Sequence, residues 1–162
     1  MATPILANSC ARATTAAEAR YRIDGEIAPS RGTRIIALDP EAAQVASRAA
    51  AESWANARFF VCEGSGPDGV VLRGIGGSPV DLAEQLSGAD VVVMIATEGS
   101  GASSASAIGK ACWERSIMTA GLVLGDDADA DSAVAALRPH ARVLLPSADE
   151  TDVVELLSAL RA

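Results

Sequence analysis

The densest run of residues able to do chemistry is Thr97-Glu98-Gly99-Ser100-Gly101-Ala102-Ser103-Ser104-Ala105-Ser106-Ala107-Ile108-Gly109. Small side chains let backbone N–H groups approach a ligand closely. The amino end of a following helix adds about half a positive charge. Ser100, Ser103 and Ser104 offer hydroxyl donors, and Glu98 is the candidate for acid–base work. Thr97, Gly99, Ser100, Gly101, Ser103 and Ser104 thus form the candidate ligand-binding set. The same small residues would also let a helix pack tightly on a sheet. No Gly-Lys-Ser/Thr follows, so the run is not a Walker phosphate loop, and Lys110 falls inside the helix.

Other reactive residue types are scattered. Asp39 precedes Pro40 and Glu41, as a helix cap does. Glu63 stands at a strand end, where a carboxylate either holds a ribose hydroxyl or is solvated. Asp126, Asp127, Asp129 and Asp131 miss the calcium-loop spacing and read as a solvated acidic loop, and no metal site is expected. Cys10, Cys62 and Cys112 are odd in number and lack a Cys-x-x-Cys pair, which argues against disulfide or zinc frameworks. Cys62 and Cys112 sit in apolar patterns, as buried thiols do. His140 is the single histidine, placed after Pro139 at a helix end. Trp54 and Trp113 read as packing residues. Gly74-Ile75-Gly76-Gly77 reads as a turn.

These residues need a scaffold, and the chain alternates strand and helix patterns. Strands are expected at Arg34–Asp39, Phe59–Glu63, Val70–Ile75, Asp90–Ala96, Ile117–Leu124 and Arg142–Leu145. Helices are expected from Asp39 to Trp54, from Ser78 to Leu86, from the Gly/Ser run to Arg115, over Ala133–Arg138, and after Ser147. A loop is expected at Gly64–Gly69. Asp90–Ala96 is apolar throughout, which places it at the centre of a parallel sheet. The implied fold class is α/β, a three-layer sandwich with a mostly parallel sheet, Rossmann-like or FtsZ-like. Residues 1–33 read as an N-terminal arm or leader helix, and 34–162 as a single α/β domain.

The stretch Gly88-Ala89-Asp90 followed by an apolar strand, the loop Thr97–Ala107, and the strand Ile117–Leu124 together resemble the nucleotide-binding core of the tubulin/FtsZ family. That family carries a Gly-Gly-Gly-Thr-Gly-Thr-Gly phosphate loop at this position. Gly99 and Gly101 match two of its glycines, and Ser104 falls at a threonine. The resemblance implies a nucleotide held by this loop. The chain departs from the family after its first strand, where Asp39-Pro40-Glu41 replaces a glycine-rich loop. It also has no room for the family's second domain, so GTP hydrolysis and filament assembly are not expected.

Composition narrows the remaining classes. The net charge is −8 with a pI near 4.6, and aromatic residues are 3% of the chain. Neither a phosphate backbone nor a base-stacking surface suits that balance, so nucleic acid is excluded as a partner, as is an anionic membrane surface. No apolar run has the length of a membrane span or a signal peptide. The alanine and arginine excess reads as codon bias of a GC-rich bacterial genome, and the expected location is cytoplasmic. Two functions follow. The first is binding of an anionic metabolite or nucleotide at the Gly/Ser loop. The second is a noncatalytic, self-associating scaffold or regulatory partner, most simply a homo-oligomer. A small transferase or hydrolase using Glu98 and a loop serine ranks third. No cofactor is indicated by name.

Overall fold

The computed structural model describes residues 29–66 and 69–162. The expected arm and Cys10 lie largely or wholly outside the described residues. Seven strands form one sheet: β1 (Thr33–Ala37), β2 (Ala57–Gly66), β3 (Gly69–Gly74), β4 (Pro79–Asp81), β5 (Val91–Ala96), β6 (Met118–Leu124) and β7 (Val143–Ala148). Its order is β4-β3-β2-β1-β5-β6-β7. β1 pairs in parallel with β2 and β5, and β5-β6-β7 continue in parallel. β3 alone runs against the others, pairing antiparallel with both β2 and β4. The helices are α1 (Pro40–Ala49), α2 (Leu82–Leu86), α3 (Ala102–Glu114), α4 (Ala128–Leu137) and α5 (Glu150–Leu160).

Strand alternation divides the core into two layers. Ile35, Ala37, Val91, Val93 and Ile95 face α1 and α5, while Ile36, Val92, Met94 and Ala96 face α2, α3 and α4. Every residue of β5 is buried, as the unbroken apolar run requires of a central strand with helices on both faces. Each such Val or Ile contributes about 1.5–3 kcal/mol relative to exposure. The three-layer α/β sandwich with a mostly parallel sheet is therefore the fold. Polar residues also belong to the interior, among them Arg34, Asp39 and Thr119. Arg34 is buried, and its guanidinium donates to the carbonyls of Gln85 and Ser87 at the end of α2. Burial pushes its pKa down from the usual arginine value.

Several expected boundaries change. Gly64–Gly69 is not a plain loop: β2 runs to Gly66 and β3 starts at Gly69, forming a hairpin with an irregular register between Cys62 and Gly64. Glycine lets the strands continue where the pattern of turn formers suggested a break. Pro79–Asp81 is an edge strand rather than a helix start, and Asp81 caps the short α2 through the Glu84 N–H. Proline is tolerated on an edge strand. The acidic run is exposed but only its first part is a loop. Asp127 caps α4, and Asp129 and Asp131 occupy its first turn, where negative charge is favoured. The last strand continues to Ala148, and Asp149 with Asp152 forms a capping box for α5. α1 stops at Ala49, and the Trp54 indole N–H donates to the Ala49 carbonyl. Thr33 begins β1, and the Gly32 N–H donates to the Asp90 carboxylate at 2.8 Å.

Candidate functional site

The strand order reverses direction between β1 and β5, and the crevice at such a reversal is where doubly wound sheets receive ligands. Asp39 sits there, almost fully buried. Its carboxylate accepts from the Ala42 N–H, capping α1 at 2.8 Å. The same carboxylate accepts from the Thr97 N–H at 2.7 Å and the Thr97 hydroxyl at 2.8 Å. One side chain thus caps a helix and fastens the end of β1 to the end of β5. Its capping role was legible in the sequence. Its long-range role was not, because 58 residues separate the partners.

Beyond Thr97 the loop turns through one 3-10 turn, Gly99–Gly101, into α3. The two glycines are fixed by packing. A Cβ on Gly101 would lie 2.7 Å from the Leu38 Cβ, and one on Gly99 would lie 2.8 Å from the Ser132 Oγ. The Gly99 N–H already donates to Ser132 at 2.8 Å. Ser132 in turn donates to the Asp129 carbonyl, so the turn is tied to α4. The Ser100 hydroxyl donates to Glu98 at 2.7 Å. Ser103 lies 3.0 Å from the Ser65 hydroxyl, and Ser104 is buried against the sheet. The expected binding residues are therefore close in space but do not converge. Thr97 and Glu98 face a cleft, Gly99 and Gly101 pack, Ser103 meets the β2–β3 hairpin, and Ser104 is internal.

The cleft that Thr97 and Glu98 line holds about 480 Å³. It reaches across the carboxyl ends of β5, β6 and β7, between the amino ends of α1, α4 and α5. Its charged lining is acidic throughout: Glu41, Glu98, Asp127, Asp129, Asp149 and Glu150. Three of these carboxylates have local work. Asp127 and Asp149 cap their helices, and Glu150 pairs with Arg48 at 2.8 Å. Glu41, Glu98 and Asp129 leave the cleft with negative charge that no lining cation offsets. Among the described residues no group of His, Cys, Asp and Glu side chains comes together as a metal-ligand set.

The remaining candidates resolve individually. Glu63 forms an ion pair with Arg73 across the hairpin, which makes it a strand-pairing residue. Cys112 is buried, and burial pushes its thiol up to about 11, whereas Cys62 is half-buried. Trp113 contradicts its packing assignment, being 80% exposed. Ile108 and Cys112 take the core side of α3, and Trp113 points away from it. A second cleft, of about 600 Å³, opens at the opposite edge of the sheet, beside Trp113, Lys110, His140 and Arg142. The sequence reading missed it because its residues come from two segments, each unremarkable alone.

Among the described residues no helix is long and apolar enough to cross a membrane. Compared with known proteins, the chain matches no protein-family model, and no curated protein matches it in sequence.

Proposed function

We propose that the chain binds a small polar molecule in the carboxyl-edge cleft, through groups that donate hydrogen bonds or carry positive charge. The observation that carries this reading is the acidic lining of a cleft beside the strand reversal. Glu98 and Asp129 would accept from hydroxyls or an amine, with the Thr97 region held in place by Asp39. The reading keeps the site expected from the Gly/Ser loop but changes its ligand. A like charge brought to about 4 Å costs roughly 1–4 kcal/mol per pair between water and a protein surface, so a polyphosphate is poorly suited. The tubulin/FtsZ-like loop then supplies a tight strand-to-helix turn, with its glycines used for packing. The free thiols support a reducing, cytoplasmic setting.

Thermal unfolding with glucosamine, a diamine, ribose and ATP tests this. A ligand at a hundred times its Kd stabilises by about 2.7 kcal/mol. The expected result is a rise in Tm with an amine or hydroxyl ligand, reduced in Glu98→Gln. A rise with ATP alone, or a rise unchanged by Glu98→Gln, contradicts the reading.

A further inference from the structure

The cleft at the amino edge of the sheet has the opposite chemistry. It lies between the second half of α3 and the segments entering β6 and β7, and none of its lining residues is Asp or Glu. The chain as a whole carries a net charge of −8. Lys110, the single lysine, His140, the single histidine, and Arg142 all line it. Among the described residues the salt bridges are Arg48–Glu150 and Arg73–Glu63, so Lys110 and Arg142 are not neutralised by a carboxylate there.

The walls are built, not incidental. Ser106, Lys110 and Trp113 fall at helical spacing on one face of α3. Gly109 lies between them. A Cβ there would stand 2.7 Å from the His140 Cβ and 3.1 Å from its Nδ1, so the glycine is what lets the imidazole lie against the helix. On the other wall, buried Thr119 donates its hydroxyl to the His140 carbonyl at 2.8 Å. The Arg142 N–H donates to the Thr119 carbonyl at 3.0 Å. These bonds hold residues 140–142 to β6, fixing the position from which the histidine and arginine side chains extend. Trp113 adds a flat indole surface at the rim, 80% exposed. An exposed tryptophan beside cations suits a ligand with both a ring and a negative charge.

We propose that the amino-edge cleft binds a small aromatic anion, its charged group held by Lys110 and Arg142 with His140 beside them, and its ring on Trp113. The shared chemistry is a planar ring bearing a carboxylate or a phosphate. This inference does not rest on the carboxyl-edge reading, which concerns a different cleft and ligands of opposite charge.

The test uses the full chain labelled with ¹⁵N, titrated with 1-naphthoate and, separately, with adenosine monophosphate. The two tryptophan indole signals report independently, since Trp54 lies against the other face of the sheet. The expected result is a saturable shift of the Trp113 indole with either probe, with little change at Trp54. A naphthoate response assigns a carboxylate ligand, and an adenosine monophosphate response assigns a phosphate. Lys110→Glu together with Arg142→Glu should weaken binding by about tenfold or more, since charge-assisted contacts are lost and repulsion replaces them. Both side chains project from the surface, so the indole signals also verify that the variant is folded. If the charge-reversed protein is unfolded, Lys110→Gln replaces it, with a smaller loss expected. Absence of a saturable shift at millimolar probe overturns the proposal. So does an equal shift with uncharged adenosine, equal binding by the folded charge variants, or a Trp113 signal that shifts with protein concentration alone.

Discussion

The two edges of one sheet are built by similar devices yet carry opposite charge. At the carboxyl edge, Gly101 admits Leu38 and buried Asp39 fastens β1 to β5. At the amino edge, Gly109 admits His140 and buried Thr119 fastens the segment entering β7. Each edge thus has a close glycine contact and a buried polar fastener. The difference lies in the charged side chains presented. Helix amino ends gather at the carboxyl edge, and capping recruits Asp and Glu to them. Capping therefore makes that edge acidic for structural reasons. At the amino edge the helix carboxyl ends gather, as at Arg115 and Arg138, and there the dipole favours cations instead, which suits the basic lining.

Removing the fasteners separates the edges most sharply. Asp39→Ala deletes a helix cap and two further hydrogen bonds at a buried site, and is expected to cost about 3 kcal/mol in urea unfolding. A cost under about 1 kcal/mol would show that β1 and β5 do not depend on this carboxylate. Gly101→Val drives a side chain into Leu38 and should cost about 2 kcal/mol, with no change at the Trp113 indole. Gly109→Ala gains helix propensity of about 1 kcal/mol but displaces His140. Its net cost should be near 1 kcal/mol, with the Trp113 signal altered and residues 97–99 unaffected. A change at both edges would mean that the clefts are coupled.

Smaller effects sharpen the account. The Cys112 thiol should resist alkylation at pH 8 while the protein is folded, whereas half-buried Cys62 reacts. Its pKa is raised from the ordinary thiol value of 9 to about 11, so the folded state holds the proton more tightly. The resulting stability is complete below the unfolded pKa and lost as pH rises from about 9 toward 11. A melting temperature that rises over that range would contradict the burial argument. Glu98→Gln, at an exposed position, should change stability by less than about 0.5 kcal/mol and act on ligand binding alone.

What was legible in the sequence follows from local physics. The all-apolar run ending at Ala96 marks a strand buried on both faces, and Asp39-Pro40-Glu41 marks a helix start. The hairpin at Gly64–Gly69 was not legible, because glycine serves turns and strand ends alike. Nor was the strand at Pro79–Asp81, whose proline suits a helix start as well as an edge strand. At the candidate site, Thr97 and Glu98 leave the central strand and line a cleft. The use of Gly99 and Gly101 depends on Ser132 and Leu38, which no local spacing reveals. The acidic lining was hidden for the same reason: Glu41, Glu98, Asp129 and Glu150 are brought together only by the topology. Gly109, Lys110 and Trp113 show their helical spacing in sequence, but His140 and Arg142 meet them only across the fold.

The division of ligand chemistry between the edges is tested most directly by backbone ¹⁵N–¹H shifts of the full chain. Glucosamine and 1-naphthoate are added in separate titrations. The account predicts saturable shifts for glucosamine around Thr97, Glu98, Asp127 and Glu150. For naphthoate it predicts them around Lys110, Trp113, His140 and Arg142. Shifts from both probes at the same edge, or saturation of neither, would contradict it.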